Sequence, residues 1–178
     1  VGVNLPAGKN LVGAFYQPKL VLCDLDALNT LPSREFCAGL AEVIKYGIIY
    51  DVQFFERLER DLPNILRQDP KGMTEVVARC CQIKAEVVGH DEKEAGLRAI
   101  LNFGHTIGHG REAISKYGRY LHGEAISIGQ MTAAKISHTV SGLPATQVTR
   151  MKALFTQAGL PTEVKLTTAQ TRNLLAAM

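Results

Sequence analysis

The chain has 178 residues, of which 46% are hydrophobic and 21% are charged, the proportions of an ordinary globular protein. Its net charge of +3 comes without a basic run, which argues against nucleic acid as a partner. No apolar stretch approaches the roughly 20 residues that a membrane helix needs, and no signal peptide opens the chain, so we expect a cytoplasmic protein with no membrane partner.

The first 31 residues carry a short β signal. The run 19–23, KLVLC, predicts one strand, and the residues before it are expected to form a loop. A single strand needs a partner for its edges, and nothing downstream resembles one. We therefore expect residues 1–31 to be the remnant of an α/β domain that lies mostly upstream, and residues 32–178 to form a second domain.

Helical periodicity dominates residues 32–178. Ser33 is the candidate N-cap of a first helix that runs to about residue 51. Further helices are predicted over 52–68 with a break or bend near Pro63, and over 73–88, 102–118, 121–141, 147–158 and from 167 onward. The predicted fold class is an all-α multi-helix domain behind a short strand-bearing leader.

The stretch 101–110, LNFGHTIGHG, sets two histidines one helical turn apart, beside two glycines. Imidazoles at positions i and i+4 share one helix face, as they do in metal-binding helices. Gly104 and Gly108 would each cost a helix about 1 kcal/mol relative to alanine, so we expect them to make room for another backbone or a bound group. His105, His109 and the nearby His122 form a candidate metal cluster, with ordinary packed or surface histidines as the alternative.

A catalytic zinc site commonly adds a carboxylate to two histidines, and Glu42 is the candidate. It lies in GLAEVIKYG, a helical segment that is apolar on nearly every side, where a carboxylate needs a partner charge or a metal. Lys45 shares its face, so a simple surface ion pair is the competing interpretation. The small residues Ala38 and Ala41 on that side favour a crowded, internal face instead.

Three more polar residues are ordinary when taken singly: a helix lysine, Lys84, a surface arginine, Arg98, and an N-cap asparagine, Asn102. Together with Lys45 they would make a basic lining suited to a phosphate or a carboxylate.

The cysteines form no CxxC motif and show no spacing typical of disulfides. We predict reduced, mostly buried thiols, as is usual in the cytoplasm. They are Cys23, Cys37, Cys80 and Cys81.

Four segments carry a resemblance to a known family: GKNLVGAFYQP, AGLAEVIKYGII, IKAEVVGHDEKEAGLRAILNFGHTIGH and LHGEAISIG. In this order they resemble the 3-dehydroquinate synthase family of sugar-phosphate cyclases, and the resemblance covers residues 1 to about 140. It implies an N-terminal α/β domain that binds NAD and a C-terminal helical domain that holds zinc or, alternatively, cobalt. It also implies a homodimer.

The implied activity is that of a carbon–oxygen lyase of the shikimate pathway. The family converts 3-deoxy-D-arabino-heptulosonate 7-phosphate to 3-dehydroquinate and phosphate, by transient oxidation with NAD, phosphate elimination, reduction and an intramolecular aldol reaction. Most of the NAD domain and the C-terminal tail of the family have no counterpart in these residues. We therefore expect the 178 residues alone to be catalytically inactive.

The resemblance also implies roles for individual residues. The metal ligands would be Glu42, His105 and His122, with His109 lining the substrate pocket. Substrate contacts would come from Asn10, Lys45, Lys84, Arg98, Asn102 and His109. NAD contacts would come from Lys9, Ala27, Leu28, Asn29 and Thr30.

Three alternatives stay open at this point. The first is another sugar-phosphate cyclase, with the same metal site and different pocket residues. The second is a metal-dependent alcohol dehydrogenase of the glycerol dehydrogenase type, which typically uses aspartate and histidines. The third, from a different class, is a non-catalytic helical module whose histidines pack or hold a structural metal.

Overall fold

The structure is a computed structural model, and it describes residues 2–5, 8–14, 16–114 and 120–176, without the side chains of residues 4 and 8–10. Two strands open the chain, β1 (Gly2–Leu5) and β2 (Gly8–Gly13). The helices of the described ranges are α1 (Ser33–Ile49), α2 (Val52–Leu66), α3 (Pro70–His90), α4 (His105–Ile114), α5 (His122–Ser141), α6 (Ala145–Gln157) and α7 (Thr168–Ala176). Two 3₁₀ helices, Leu25–Thr30 and Leu97–Asn102, precede α1 and α4. The predicted fold class is confirmed.

The β structure of the leader differs from the prediction. β1 and β2 pair antiparallel, with Gly2 opposite Gly13 and Val3 opposite Val12, where a loop was expected. Residues 19–23 form no strand, and Leu20 and Leu22 are 81% and 86% exposed. The strand propensity of this run goes unused because, within the described ranges, no other strand lies beside it to complete the hydrogen bonds.

Capping residues set where the first three helices begin, and hydrophobic periodicity alone does not locate all of them. Ser33 is the first residue of α1 rather than its N-cap, since Pro32 occupies the cap position without a side-chain bond. Helix α2 begins after Asp51, whose carboxylate accepts a hydrogen bond from the Phe54 N–H, and it runs unbroken through Pro63. Asp69 caps α3 in the same way, which starts that helix three residues earlier than predicted.

The predicted helix over 102–118 is divided. Its first residue belongs to the 3₁₀ helix, and Gly104 has a φ of +81°, a left-handed conformation that interrupts helical geometry before α4 begins. Gly104 is therefore a turn residue rather than a residue inside a helix. The predicted end at Gly118 lies outside the described residues. Helix α5 ends as expected at Gly142, which is also left-handed.

Apolar side chains from α1, α2, α3, α5 and α6 meet in one core. Ile44, Leu58, Ile83, Met131 and Phe155 are almost completely buried there. This core fixes the positions of α1 and α5, on which part of the candidate site lies. None of the helices in the described ranges has the length and apolar character that a membrane crossing requires.

Close packing of α4 on α5 depends on glycines. A Cβ atom on Gly108 would lie 2.5 Å from Ile126 Cδ1, and one on Gly129 would overlap the carbonyl oxygen of Gly104. In the first turn of α5, a Cβ on Gly123 would overlap the carbonyl oxygen of Ala38 in α1. The prediction that the glycines near the paired histidines make room for another backbone is confirmed, and that backbone is α5.

The prediction of reduced thiols is confirmed, because all four cysteines are free, whereas the prediction that they are mostly buried is wrong. Cys23 and Cys81 are exposed, and Cys37 and Cys80 are partly buried. Cys23 lies in the irregular part of the leader. Cys81 lies on the solvent-facing side of α3, whereas residues such as Ile83 and Val87 on the other side of the helix contact the core.

Candidate metal centre

Four side chains from three helices converge at one point, and we call them the Glu–His cluster: Glu42, His105, His109 and His122. Glu42 comes from the middle of α1, His105 and His109 from the first turns of α4, and His122 from the start of α5. The ring centroids of His105 lie 5.3 Å from His109 and 5.7 Å from His122. One ligand nitrogen from each of the three rings lies within 4.8 Å of the others. The tight α1–α5 and α4–α5 contacts are what bring these side chains together.

Glu42 Oε1 is the atom that best fits a metal ligand. It lies 3.5 Å from His105 Nε2 and 3.8 Å from His122 Nε2. The oxygen is buried, and no group in the described part of the chain donates a hydrogen bond to it. Two ligands of one tetrahedral zinc ion lie about 3.3 Å apart, so both distances from Oε1 are close to the separation that a shared ion requires. The residues present therefore fit a divalent metal.

The other nitrogen of each of these two rings contacts the protein. His105 Nδ1 lies 3.3 Å from the carbonyl oxygen of Phe103, and His122 Nδ1 lies 3.4 Å from Glu112 Oε2. An acceptor at Nδ1 keeps the proton there and leaves Nε2 as the electron-pair donor, which is the usual arrangement of metal-bound histidines. Both Nε2 atoms point to the same carboxylate oxygen.

Glu112 is a functional candidate that the sequence analysis missed. Its side chain is only 7% exposed, and it contacts a histidine of the next helix. Its spacing of three residues from His109 and seven from His105 puts it on the same face of α4, and that spacing was the available signal.

Lys45 is buried, with 3% of its surface exposed, so the interpretation as a surface ion pair is wrong. Its Nζ donates hydrogen bonds to Glu42 Oε2 at 2.5 Å and to the carbonyl oxygen of Leu101 at 2.7 Å. The ammonium therefore balances the charge of Glu42 from the side away from the histidines. The predicted internal, crowded face of α1 is confirmed.

The electrostatics favour a neutral imidazole at His105. Burial lowers the pKa of His105 below its usual value, and the nearby charge of Lys45 lowers it further, while Glu42 partly opposes both effects. A neutral imidazole has the free electron pair that a metal needs. The environment thus prepares His105 as a ligand at neutral pH.

The start of α5, which carries His122, is fixed by a carboxylate. Glu124 accepts a hydrogen bond from the Leu121 N–H at 2.9 Å and pairs through both oxygens with Arg34 of α1, at 2.7 and 2.8 Å. The bond from Arg34 is the main reason that the pKa of Glu124 lies below its usual value. This pair links α5 to α1 beside the cluster.

The cluster is open on one side. His109 is exposed, and the side chain of His122 is 45% exposed, whereas His105 is largely covered. A small molecule can therefore reach the histidines from solvent without displacing the core. An open coordination position is typical of catalytic metal sites and not of closed structural ones.

The predicted basic lining is only partly assembled around the cluster. Of its members, Lys45 contacts Glu42, whereas Arg98 Nη1 donates to the carbonyl oxygen of Glu92 and Asn102 Nδ2 donates to Glu94 Oε1. Lys84 is exposed on α3. Asn102 ends its 3₁₀ helix and does not cap α4. The substrate roles of these residues stay predictions.

The turn that holds Arg98 is organised by Asp91. Its carboxylate accepts hydrogen bonds from the backbone N–H groups of Arg98, Ala95 and Gly96, and these bonds lower its pKa below the usual range. Asp91 thus fixes the backbone on which the predicted substrate residues are placed.

The predicted NAD residues lie in or before the first 3₁₀ helix. Thr30 Oγ1 donates to the carbonyl oxygen of Ala27, Asn29 is exposed, and Leu28 packs against the helical core. The side chains of Lys9 and Asn10 lie outside the described residues. The NAD roles of these residues stay predictions.

A cavity of about 810 Å³ in the described part of the chain is not lined by any side chain of the Glu–His cluster. Apolar groups such as Ile48, Phe55 and Met151 form much of its wall, and Asn102 also lines it. Because this cavity holds no side chain of the Glu–His cluster, the candidate metal chemistry is assigned to the cluster and not to the cavity.

The whole chain is similar to known proteins of one family. A family profile described as 3-dehydroquinate synthase C-terminal matches residues 39–178, and one described as 3-dehydroquinate synthase N-terminal matches residues 1–38. The 3-dehydroquinate synthase of Pelobacter propionicus is 54% identical over 159 residues, covering 89% of this chain and 44% of that protein. The 3-dehydroquinate synthase of Pseudoalteromonas translucida is 51% identical over 162 residues, covering 91% of this chain and 46% of that protein. The chain spans about half the length of these curated relatives.

Solved structures of related enzymes have the same fold. A 2-epi-5-epi-valiolone synthase from Streptomyces hygroscopicus, with NAD⁺ and Zn²⁺ bound, has a TM-score of 0.85 at 28% identity and covers 98% of this chain and 49% of its own. A 2-deoxy-scyllo-inosose synthase complexed with carbaglucose-6-phosphate, NAD⁺ and Co²⁺ has a TM-score of 0.80 at 33% identity, covering 98% and 48%.

Proposed function

The chain belongs to the 3-dehydroquinate synthase family, and from that premise we propose that the whole protein converts 3-deoxy-D-arabino-heptulosonate 7-phosphate to 3-dehydroquinate and phosphate. The observation that carries the proposal is the buried Glu42 Oε1, which faces the Nε2 atoms of His105 and His122 and accepts no hydrogen bond from the described residues. A carboxylate oxygen in that position calls for a cation.

Glu42, His105 and His122 are the proposed ligands of zinc or, alternatively, cobalt, the ions named with the two solved relatives. When bound, a divalent cation supplies Lewis acidity, which lowers the pKa of a substrate hydroxyl and stabilises negative charge on oxygen. NAD supplies the hydride acceptor, and because the hydride is returned it acts as a catalytic cofactor.

The residues around the ligands have separate tasks. Lys45 holds Glu42 in place through its second oxygen and is more a positioning residue than a substrate contact, since two of its three protons are already used. Glu112 fixes the ring of His122 through Nδ1. His109 lies at the exposed edge of the cluster, where its imidazole can contact a substrate and hold or release a proton.

The anionic groups of the substrate are the proposed partners of the remaining polar residues. Cationic and amide groups are suitable hydrogen-bond donors to a carboxylate or a phosphate. The proposed donors are Asn10, Lys84, Arg98 and Asn102. Such a clamp holds one flexible molecule through several steps. Lys9 and the residues Ala27, Leu28, Asn29 and Thr30 are the proposed NAD contacts, on the strength of the family match alone.

By the same family membership we propose a cytoplasmic homodimer. Its partner molecule is a small sugar phosphate, and neither nucleic acid nor a membrane is proposed. The mild net charge of +3 supports that choice.

Related functions are less well supported. The relatives with about 50% identity are 3-dehydroquinate synthases, whereas the valiolone and inosose synthases are 28% and 33% identical. An alcohol dehydrogenase of the glycerol dehydrogenase type is disfavoured by a glutamate at the carboxylate position of the cluster. A purely structural metal site is disfavoured by the exposure of His109 and His122.

The proposal is tested with the purified whole protein, NAD and zinc. Phosphate release and 3-dehydroquinate formation are measured with the heptulosonate phosphate and, separately, with glucose 6-phosphate. We expect both products from the heptulosonate phosphate only, and strong loss of both with Glu42→Gln. Product from glucose 6-phosphate alone, or hydride transfer without phosphate release, would assign the protein to one of the alternatives.

A further inference from the structure

Two cysteines that are far apart in the sequence meet on the surface. The Sγ atoms of Cys23 and Cys81 lie 3.8 Å apart, although 58 positions separate the residues. Both are exposed, so a small reagent can reach either sulfur. A disulfide requires about 2.0 Å between the sulfurs, a change that rotation of two exposed side chains and a small shift of backbone can supply.

The two cysteines differ in how their backbones are held. Cys81 lies in α3, which is anchored in the core through Ile83 and Val87 on its opposite side. Cys23 lies in the irregular segment 19–24, whose apolar side chains Leu20 and Leu22 are exposed. The freedom needed to close the bond therefore lies on the side of Cys23.

We propose that Cys23 and Cys81 are a reversible dithiol–disulfide site that exchanges with small-molecule disulfides of the glutathione type. A thiolate of the pair attacks the small disulfide, and one small thiol leaves, which gives a mixed disulfide. The second protein thiolate attacks the protein sulfur of that bond, and the second small thiol leaves. The protein loses two electrons and two protons, and the small disulfide is reduced to two thiols.

The surroundings of the two sulfurs favour a reversible disulfide over a permanent one. Partial desolvation at the protein surface, together with the hydrogen bond to Cys23, raises the pKa of the Cys81 thiol, which slows exchange at neutral pH. Exposed disulfides tend to be the labile ones, because reductants reach them readily. The bond is thus expected to form under oxidising conditions and to reopen when thiols return.

Closing the bond would fasten the leader to α3. Cys23 lies four residues before Ala27, one of the proposed NAD contacts, and Cys81 lies one helical turn before Lys84, a proposed substrate contact. A link between these two places restricts their relative movement during catalysis. This consequence rests on the proposed function, and it predicts a reversible, severalfold fall in kcat.

The test equilibrates the purified whole protein in glutathione buffers from reducing to oxidising, followed by alkylation and tryptic digestion. Cleavage after Lys19 and Arg34 releases the peptide of Cys23, and cleavage after Arg79 and Lys84 releases that of Cys81. We expect peptides 20–34 and 80–84 to be joined in the oxidised samples and separate after reduction. Because peptide 80–84 also holds Cys80, the joined mass must persist in Cys80→Ser and disappear in Cys81→Ser and Cys23→Ser.

Cys37→Ser is the matched control and should keep the link. Absence of the joined peptides at every redox setting, or their persistence in Cys81→Ser, would overturn the proposal. A joined peptide with unchanged kcat would overturn the effect on turnover. Lack of synthase activity in the fully reduced protein would instead count against the proposed function, because the peptide measurement does not depend on activity.

Discussion

Each of two imidazoles in the Glu–His cluster uses Nδ1 for a protein acceptor and turns Nε2 toward Glu42. The acceptor for His122 is a carboxylate, Glu112, that is itself buried. Such partners orient a ligand and make it more basic, so their loss weakens metal binding even though they do not touch the metal. Measuring the metal affinity of single variants can therefore test whether a residue such as Glu112 orients a ligand.

Replacing Glu112 with glutamine tests this arrangement. The amide has the same shape but lacks the negative charge at His122 Nδ1, so we expect zinc affinity to fall about 10- to 100-fold. The measurement is a competition titration with a chelating dye, which does not depend on turnover. Glu35→Gln, at an exposed position in the first turn of α1, should leave zinc affinity unchanged. Equal zinc affinity in Glu112→Gln and the parent protein would refute the positioning role.

At the scale of elements, the site depends on how closely α5 approaches its neighbours. Glycines at Gly108, Gly123 and Gly129 remove the side chains that would separate the helices. Without that approach, His122 would move away from Glu42, because the two residues share no element. The positions of the ligands are thus a property of helix packing.

Gly129→Ala is the sharpest test of this packing. Its new Cβ would overlap the carbonyl oxygen of Gly104, so α4 and α5 must separate, and we expect a loss of about 1–3 kcal/mol in the free energy of unfolding together with weaker zinc binding. Gly39→Ala in α1 is the matched control, because nothing lies within 4 Å of its added methyl group. That control should be neutral or more stable by about 1 kcal/mol in chemical denaturation. Equal effects of the two substitutions would contradict the account of the α4–α5 contact.

The link between α2 and α3 predicts a pH dependence. Burial alone would raise the pKa of Asp51, but hydrogen bonds from the Phe54 N–H and from Arg79 of α3 outweigh it and lower the pKa below its usual value. A lowered pKa in the folded state stabilises the fold above the unfolded value of about 3.9, and this contribution is lost as pH falls through the folded value.

Asp51→Asn keeps a capping side chain and removes the charge, so we expect it to destabilise the protein by up to about 1 kcal/mol at pH 7. The difference in unfolding free energy between the two proteins should shrink as pH falls below the unfolded value of about 3.9, and it should vanish once pH lies below the lowered pKa of the folded aspartate. The measurement is urea unfolding of both proteins over this pH range. A difference that stays constant or grows toward low pH would show that the ion pair with Arg79 does not stabilise the fold.

At the scale of the whole molecule, the sequence predicted the helical body well because local periodicity encodes it. The ligand candidates were also accessible, since a carboxylate in an apolar helix and histidines at i, i+4 are local patterns. The left-handed turn at Gly104 was missed, because it depends on contacts with Gln130 and Gly129 of α5. Three further features were missed because each depends on residues that the chain brings together only on folding. They are the hairpin of the leader, the role of Glu112 and the meeting of Cys23 with Cys81.

The most direct measurement is a crystal structure of the zinc-loaded whole protein, with the ion located by its anomalous scattering. We expect one zinc ion within about 2.0–2.2 Å of Glu42 Oε1, His105 Nε2 and His122 Nε2, and His109 outside its coordination shell. Zinc held instead by His105, His109 and His122, with Glu42 bonded only to Lys45, would contradict the assigned ligand set.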